Sequence, residues 1–76
     1  MPKLICTFDR FIKIIETHGF RPKLPLTPGS HCRYRGIVGG QVRLVDVAGH
    51  GNVDIKIKTL ASMIRQTGLP KSLFTR

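Results

Sequence analysis

The sequence has no tryptophan and a single tyrosine. Base stacking on aromatic side chains is therefore expected to be a minor part of any nucleic-acid contact. Acidic residues are also scarce, four Asp and Glu against thirteen Lys and Arg. Cysteine is limited to Cys6 and Cys32, and neither a Cys-x-x-Cys nor a His-x-x-x-His spacing occurs. The composition thus gives no metal-site signal, and no metal or cofactor is expected. No apolar run approaches the roughly 18 residues that a membrane span requires. The opening Met1-Pro2-Lys3-Leu4-Ile5-Cys6 carries one Lys and too short an apolar stretch for a secretory leader. Basic residues are spread along the chain and not gathered on one amphipathic helix, which argues against a membrane surface. A cytoplasmic chain with reduced thiols is the expectation. There is no repeat and no low-complexity tract.

Seventy-six residues, 41% of them hydrophobic, suit one folded domain spanning 1–76. A domain of this size buries only about 60% of the surface that its unfolded chain exposes, so a deep enclosed pocket is not expected. Chemistry, if present, belongs on an open surface. The formal charge of +9 repels itself in a compact state unless a polyanion offsets it. Nucleic acid, an anionic membrane surface and an acidic protein are the partner classes that the charge allows.

Phe8, Phe11, Ile12 and Ile15 recur at helical spacing and predict a helix from about Thr7 or Phe8 to His18. Thr7 or Asp9 can cap its start, and Gly19 can stop it. Phe20 to Leu26 reads as an edge strand or irregular arm, because Pro22 and Pro25 lack the amide that a central strand donates. Thr27-Pro28-Gly29-Ser30 reads as a turn. A strand from His31 to Ile37 follows, then a tight connection at Gly39-Gly40 and a second hairpin strand from Gln41 to Val47. Ala48 to Ile57 is expected as a loop. Leu60, Met63, Ile64 and Thr67 mark one face of a helix from about Lys58 to Thr67, closed by Gly68 and Pro70. The core is expected over about 8–69, with a short basic tail from Pro70 to Arg76 whose Phe74 either folds back onto the core or serves a partner. The order helix-strand-strand-strand-helix predicts an α+β fold, two helices covering one face of a three-stranded antiparallel sheet. The other face stays open.

Strand alternation sends His31, Arg33 and Arg35 to one face and Cys32 and Tyr34 to the other. Arg43 can join the first group, although Val42 and Leu44 favour one core face of its strand and Val45 and Val47 the other. A histidine among guanidinium groups suits a phosphodiester. Imidazole takes a proton from a hydroxyl near neutral pH, and arginines hold phosphate oxygens and developing charge. RNA brings its own nucleophile, the 2′-hydroxyl, so a metal is not obligatory. His18, near a helix end, reads as a favourable charge for the helix dipole, and His50, between glycines, as a loop histidine.

Three stretches carry a resemblance to a known family. They are a helix ending in His18-Gly19-Phe20, the Gly29-Ser30-His31 turn into a strand, and Gly49-His50-Gly51-Asn52 through Ile55 with Lys58-Thr59-Leu60, Ile64, Arg65-Gln66 and Gly68-Leu69. Together, from about Phe8 to Leu69, the sequence resembles the HicA family of bacterial toxins, small mRNA interferases with a fold like the double-stranded-RNA-binding domain. The resemblance implies metal-independent cleavage of mRNA, with His31 as the catalytic residue. It also implies neutralisation by a HicB-type antitoxin that covers the active face. Many members carry a second histidine where this chain has Cys32. The candidate RNA-contacting residues are Ser30, Lys23, Arg33, Arg35, Arg43, Lys56 and Lys58. The competing readings are a non-catalytic RNA-binding module of the double-stranded-RNA-binding type and an adaptor for an acidic protein.

Overall fold

The computed structural model describes residues 3–23, 32–49 and 51–75. The Gly29-Ser30-His31 turn, the Pro25 part of the arm before it, and His50 lie outside the described residues. Helix α1 spans Phe8–Thr17, strand β1 Arg21–Pro22, β2 Cys32–Val38, β3 Gln41–Val47 and helix α2 Ile57–Thr67, followed by a 3-10 turn at Lys71–Phe74.

Helix α1 starts at Thr7, whose hydroxyl accepts the Arg10 amide at 3.2 Å and so satisfies one of the donors that a helix start leaves unpaired. Asp9, the other candidate cap, acts differently. Its carboxylate accepts the Gly51 amide at 2.8 Å, while the Phe8 and Asp9 amides donate to the carbonyls of Val53 and Gly51. The loop after β3 is thereby fastened across the start of α1. Of the expected apolar face, Phe11 and Ile15 are fully buried, and Phe8 and Ile12 pack partly against the core. Beyond His18, Gly19 takes φ 92°, and the chain reverses so that Phe20 enters the core.

The sheet is antiparallel with order β1-β2-β3. Strand β1 is a short edge, as Pro22 required. Arg21 stands opposite Arg35 and Pro22 opposite Tyr34. Strands β2 and β3 pair along their whole length, from Cys32 opposite Val47 to Val38 opposite Gln41. Gly39 and Gly40 both have positive φ, as a two-residue hairpin turn between right-twisted strands requires. Position 36 must also be a glycine. A Cβ there would lie 2.7 Å from Cγ of Phe20, whose ring occupies the space.

Helix α2 begins one residue before its expected start and buries the expected face, Leu60, Met63, Ile64 and Thr67. The buried Thr67 hydroxyl donates to the Ile64 carbonyl and accepts the Leu69 amide, so its burial leaves no polar atom unpaired. Gly68 ends the helix at φ 72°. Phe74 is the tail residue that folds back. It is fully buried and stacks on Phe11, ring centroids 5.0 Å apart. Arg10 secures this return. Its guanidinium donates to the carbonyls of Ile5, Phe74 and Thr75, beside a β-bridge between Leu4 and Thr75.

The sheet contributes Tyr34, Val45 and Val47 to the core, and the helices contribute Phe11, Ile15, Leu60, Met63 and Ile64. The molecule is the α+β arrangement that the element order predicts, with one face of the sheet covered and the other exposed.

Candidate nucleic-acid interface

Alternation along β2 sends Cys32, Tyr34 and Gly36 toward the helices and Arg33, Arg35 and Ile37 outward. This is the facing expected for Arg33, Arg35, Cys32 and Tyr34. Along β3, Val45 and Val47 are buried, while Val42, Leu44 and Asp46 face out. Arg43 shares the parity of Val45 and Val47, so it lies on the helix side and does not join Arg33 and Arg35. That corrects the grouping left open by the sequence. Val45 and Val47 meet α2 and the centre of the core, whereas Val42 and Leu44 lie toward the hairpin end. Burial of the former pair decides the strand's facing. The Arg43 guanidinium donates to Gln41 at 3.2 Å and lies against Gly68, where a Cβ would approach its Nε to 2.8 Å.

The open face therefore carries three cross-strand pairs, Arg33 with Asp46, Arg35 with Leu44, and Ile37 with Val42. Arg33 is engaged. Its Nε donates to Asp46 Oδ1 at 2.8 Å and its second donor reaches Oδ2 at 3.4 Å. The hydrogen bond and charge of Asp46 raise the Arg33 pKa further above its ordinary value. The Arg35 side chain has no such partner among the described residues. Lys23 continues the line of β1, its amide donating to the Arg33 carbonyl at 2.7 Å, and its side chain is exposed. Lys23, Arg33 and Arg35 thus belong to one surface. Lys56 and Lys58 are exposed at the start of α2, in the helix layer, and stand apart from that surface. Ser30 and His31 precede β2 directly but lie outside the described residues.

Beside Arg35 the surface deepens into an open groove of about 410 Å³ between β1, β2 and the end of α1, lined by His18, Arg21, Lys23, Arg35 and Ile37 among others. His18 and Arg21 were not among the residues singled out for binding. Arg21 donates to the carbonyls of Glu16 and Phe20, which holds it at the end of α1. The His18 ring places Nδ1 2.9 Å from the Ile14 carbonyl oxygen. No local pattern signals the groove. It forms because Gly19 reverses the chain and β1 pairs with β2, a long-range event.

Among the described residues, no group of three or more His, Cys, Asp or Glu side chains could hold a metal ion. Nor is any helix there long and apolar enough to cross a membrane.

Fold and surface together define a small α+β domain that presents an open, cation-rich sheet edge. Residues 8–69 match the family model described as the HicA toxin of bacterial toxin-antitoxin systems. The match covers most of the chain, and the protein belongs to the HicA toxin family. No curated protein and no solved structure matches it significantly.

Proposed function

We propose that this toxin is a metal-independent endoribonuclease of the cytoplasm that cuts mRNA with His31 as its one catalytic histidine. Family membership supports the toxin role. The observation that carries the chemistry is the outer face of β2 and β1, where Arg33, Arg35 and Lys23 share the open side of the sheet and Arg33 follows His31 by two residues. His31 takes the proton of a ribose 2′-hydroxyl, the 2′-oxygen attacks phosphorus, and the P–O5′ bond breaks. The leaving 5′-oxygen gains a proton from water, and the products carry a 2′,3′-cyclic phosphate and a 5′-hydroxyl. Arg35 and Lys23 hold phosphate oxygens on either side of the reaction, and Ser30 contributes a hydroxyl next to the base. Arg33 is oriented by Asp46 and serves position more than charge.

A HicB-type antitoxin neutralises the toxin by covering the same face. Ile37, Val42 and Leu44 are large, exposed apolar residues grouped at the hairpin end of that face, next to the cations, as a protein partner would require.

The decisive test is the His31→Ala protein incubated with single-stranded RNA in the presence of a chelator. Loss of cleavage with an unchanged thermal unfolding midpoint is expected. Cleavage at the original rate removes His31 from the mechanism. RNA binding without cleavage by the unaltered chain would make the protein a non-catalytic RNA-binding module.

A further inference from the structure

The groove at the β1 edge combines two chemistries seldom needed together. Three cations surround it, and Arg35 and Lys23 have no side-chain partner among the described residues. Arg21 is anchored through one nitrogen, Nη1, to the Glu16 and Phe20 carbonyls, leaving the rest of its guanidinium for a ligand. Among the described residues, no acidic side chain lines the groove. Against these cations stands His18. A carbonyl oxygen only accepts hydrogen bonds, so the Nδ1 atom 2.9 Å from Ile14 O carries the hydrogen. In the neutral ring, Nε2 is then a hydrogen-bond acceptor held in a fixed orientation.

Neither a carboxylate nor a phosphate oxygen can pair with the Nε2 lone pair, so the ligand must bring a donor as well as an anion. The match is a polyanion that carries a hydroxyl donor within one backbone repeat of its phosphate. RNA has that repeat and DNA lacks the donor. The volume, at the small end of the roughly 300–1,000 Å³ of small-molecule sites, suits one sugar-phosphate unit.

We infer that this groove is an RNA-backbone subsite. In it, Arg35, Lys23 and Arg21 hold a phosphate, and Nε2 of His18 accepts a hydrogen bond from a ribose 2′-hydroxyl. His18 thereby distinguishes RNA from DNA. The inference rests on the proposed RNA-directed function and shares Arg35 and Lys23 with it; His18 and Arg21 are the residues that it adds.

The test measures binding of a short adenosine RNA and a deoxyadenosine DNA of equal length. It uses protein carrying His31→Ala. His18→Asn keeps a donor for the Ile14 carbonyl but ends short of Nε2. His18→Gln carries an acceptor out to the Nε2 position. His18→Asn is expected to weaken RNA binding about three- to tenfold, the worth of one hydrogen bond, and to leave DNA binding unchanged. His18→Gln should restore part of the difference. Arg35→Ala should weaken both nucleic acids and lower the salt slope by at most about 0.7, the single-strand value for one cationic contact. Equal weakening of RNA and DNA by His18→Asn, or no change in the Arg35→Ala salt slope, overturns the inference. If the unaltered chain cleaves RNA while the groove variants bind normally, the inference falls and the ribonuclease reading stands. If RNA fails to bind and polyglutamate binds in its place, both fall and the groove belongs to an acidic protein. Unfolding midpoints of all variants, matched to the parent, show that each remains folded.

Discussion

Gly36 and Phe20 show how one missing side chain shapes this fold. The Phe20 ring fills the place of a Cβ at position 36. Gly36→Ala should therefore push the ring out of a fully packed site and cost about 1–3 kcal/mol in chemical denaturation. Phe20→Ala leaves a void in place of a clash and should cost roughly 3–5 kcal/mol. The double variant should cost less than the sum, because the clash disappears with the ring. An additive result would mean that the two positions do not compete for one space. Tyr34 is the residue whose ionisation the fold resists. Burial raises its pKa above the ordinary 10, and the charges of Cys32 and Glu16 push in the same direction. The folded state thus keeps the neutral phenol, and the unfolded chain loses the proton first. Stability is fully present below the unfolded pKa and declines as pH rises through the folded one. Tyr34→Phe should flatten this alkaline limb in a pH series of unfolding midpoints; an unchanged slope would assign it to other groups.

Among the elements, the contact between the start of α1 and the loop after β3 is the most consequential. Asp9 accepts the Gly51 amide, two amides of α1 donate into the loop, and a Cβ at Gly49 would lie only 2.9 Å from the Phe8 ring. Asp9→Ala should cost about 1 kcal/mol of stability and speed proteolytic cutting within residues 48–56. Equal cutting rates would show that the loop holds itself in place. These cross-connections were illegible in the sequence, where Asp9 read as one of two possible caps. The helices themselves were legible to within a residue or so, because Phe11, Ile15, Leu60, Met63 and Ile64 repeat at helical spacing and Gly19 and Gly68 end the runs. Strand β2 revealed its facing because polar and apolar residues alternate through Arg33, Tyr34 and Arg35. Strand β3 did not, since Val42, Leu44, Val45 and Val47 offer an apolar residue to either side. Only packing against α2 resolves Arg43. The groove shows the same limit, because His18 and Arg21 become neighbours of Arg35 through strand pairing that leaves no trace in local spacing.

At the scale of the whole molecule, the core lies under one side of the sheet and Lys23, Arg21 and Arg35 line the edge of the other. Nucleic-acid affinity should then be strongly salt-dependent. Three cations engaging the backbone of a single strand give a log-log slope of at most about −2, measurable by titration at several ionic strengths. A slope near zero would contradict an electrostatic footprint. The clasp made by Arg10 is equally a property of the whole chain. One guanidinium joins Ile5 to Phe74 and Thr75, the last 65 residues away in sequence. The two ends also meet directly in the Leu4–Thr75 bridge, so release of either one costs the other a partner. In native-state hydrogen exchange, the amides around Cys6 and around Phe74 should therefore open as a single cooperative unit with one shared free energy. Arg10→Ala would lower the protection of both ends together.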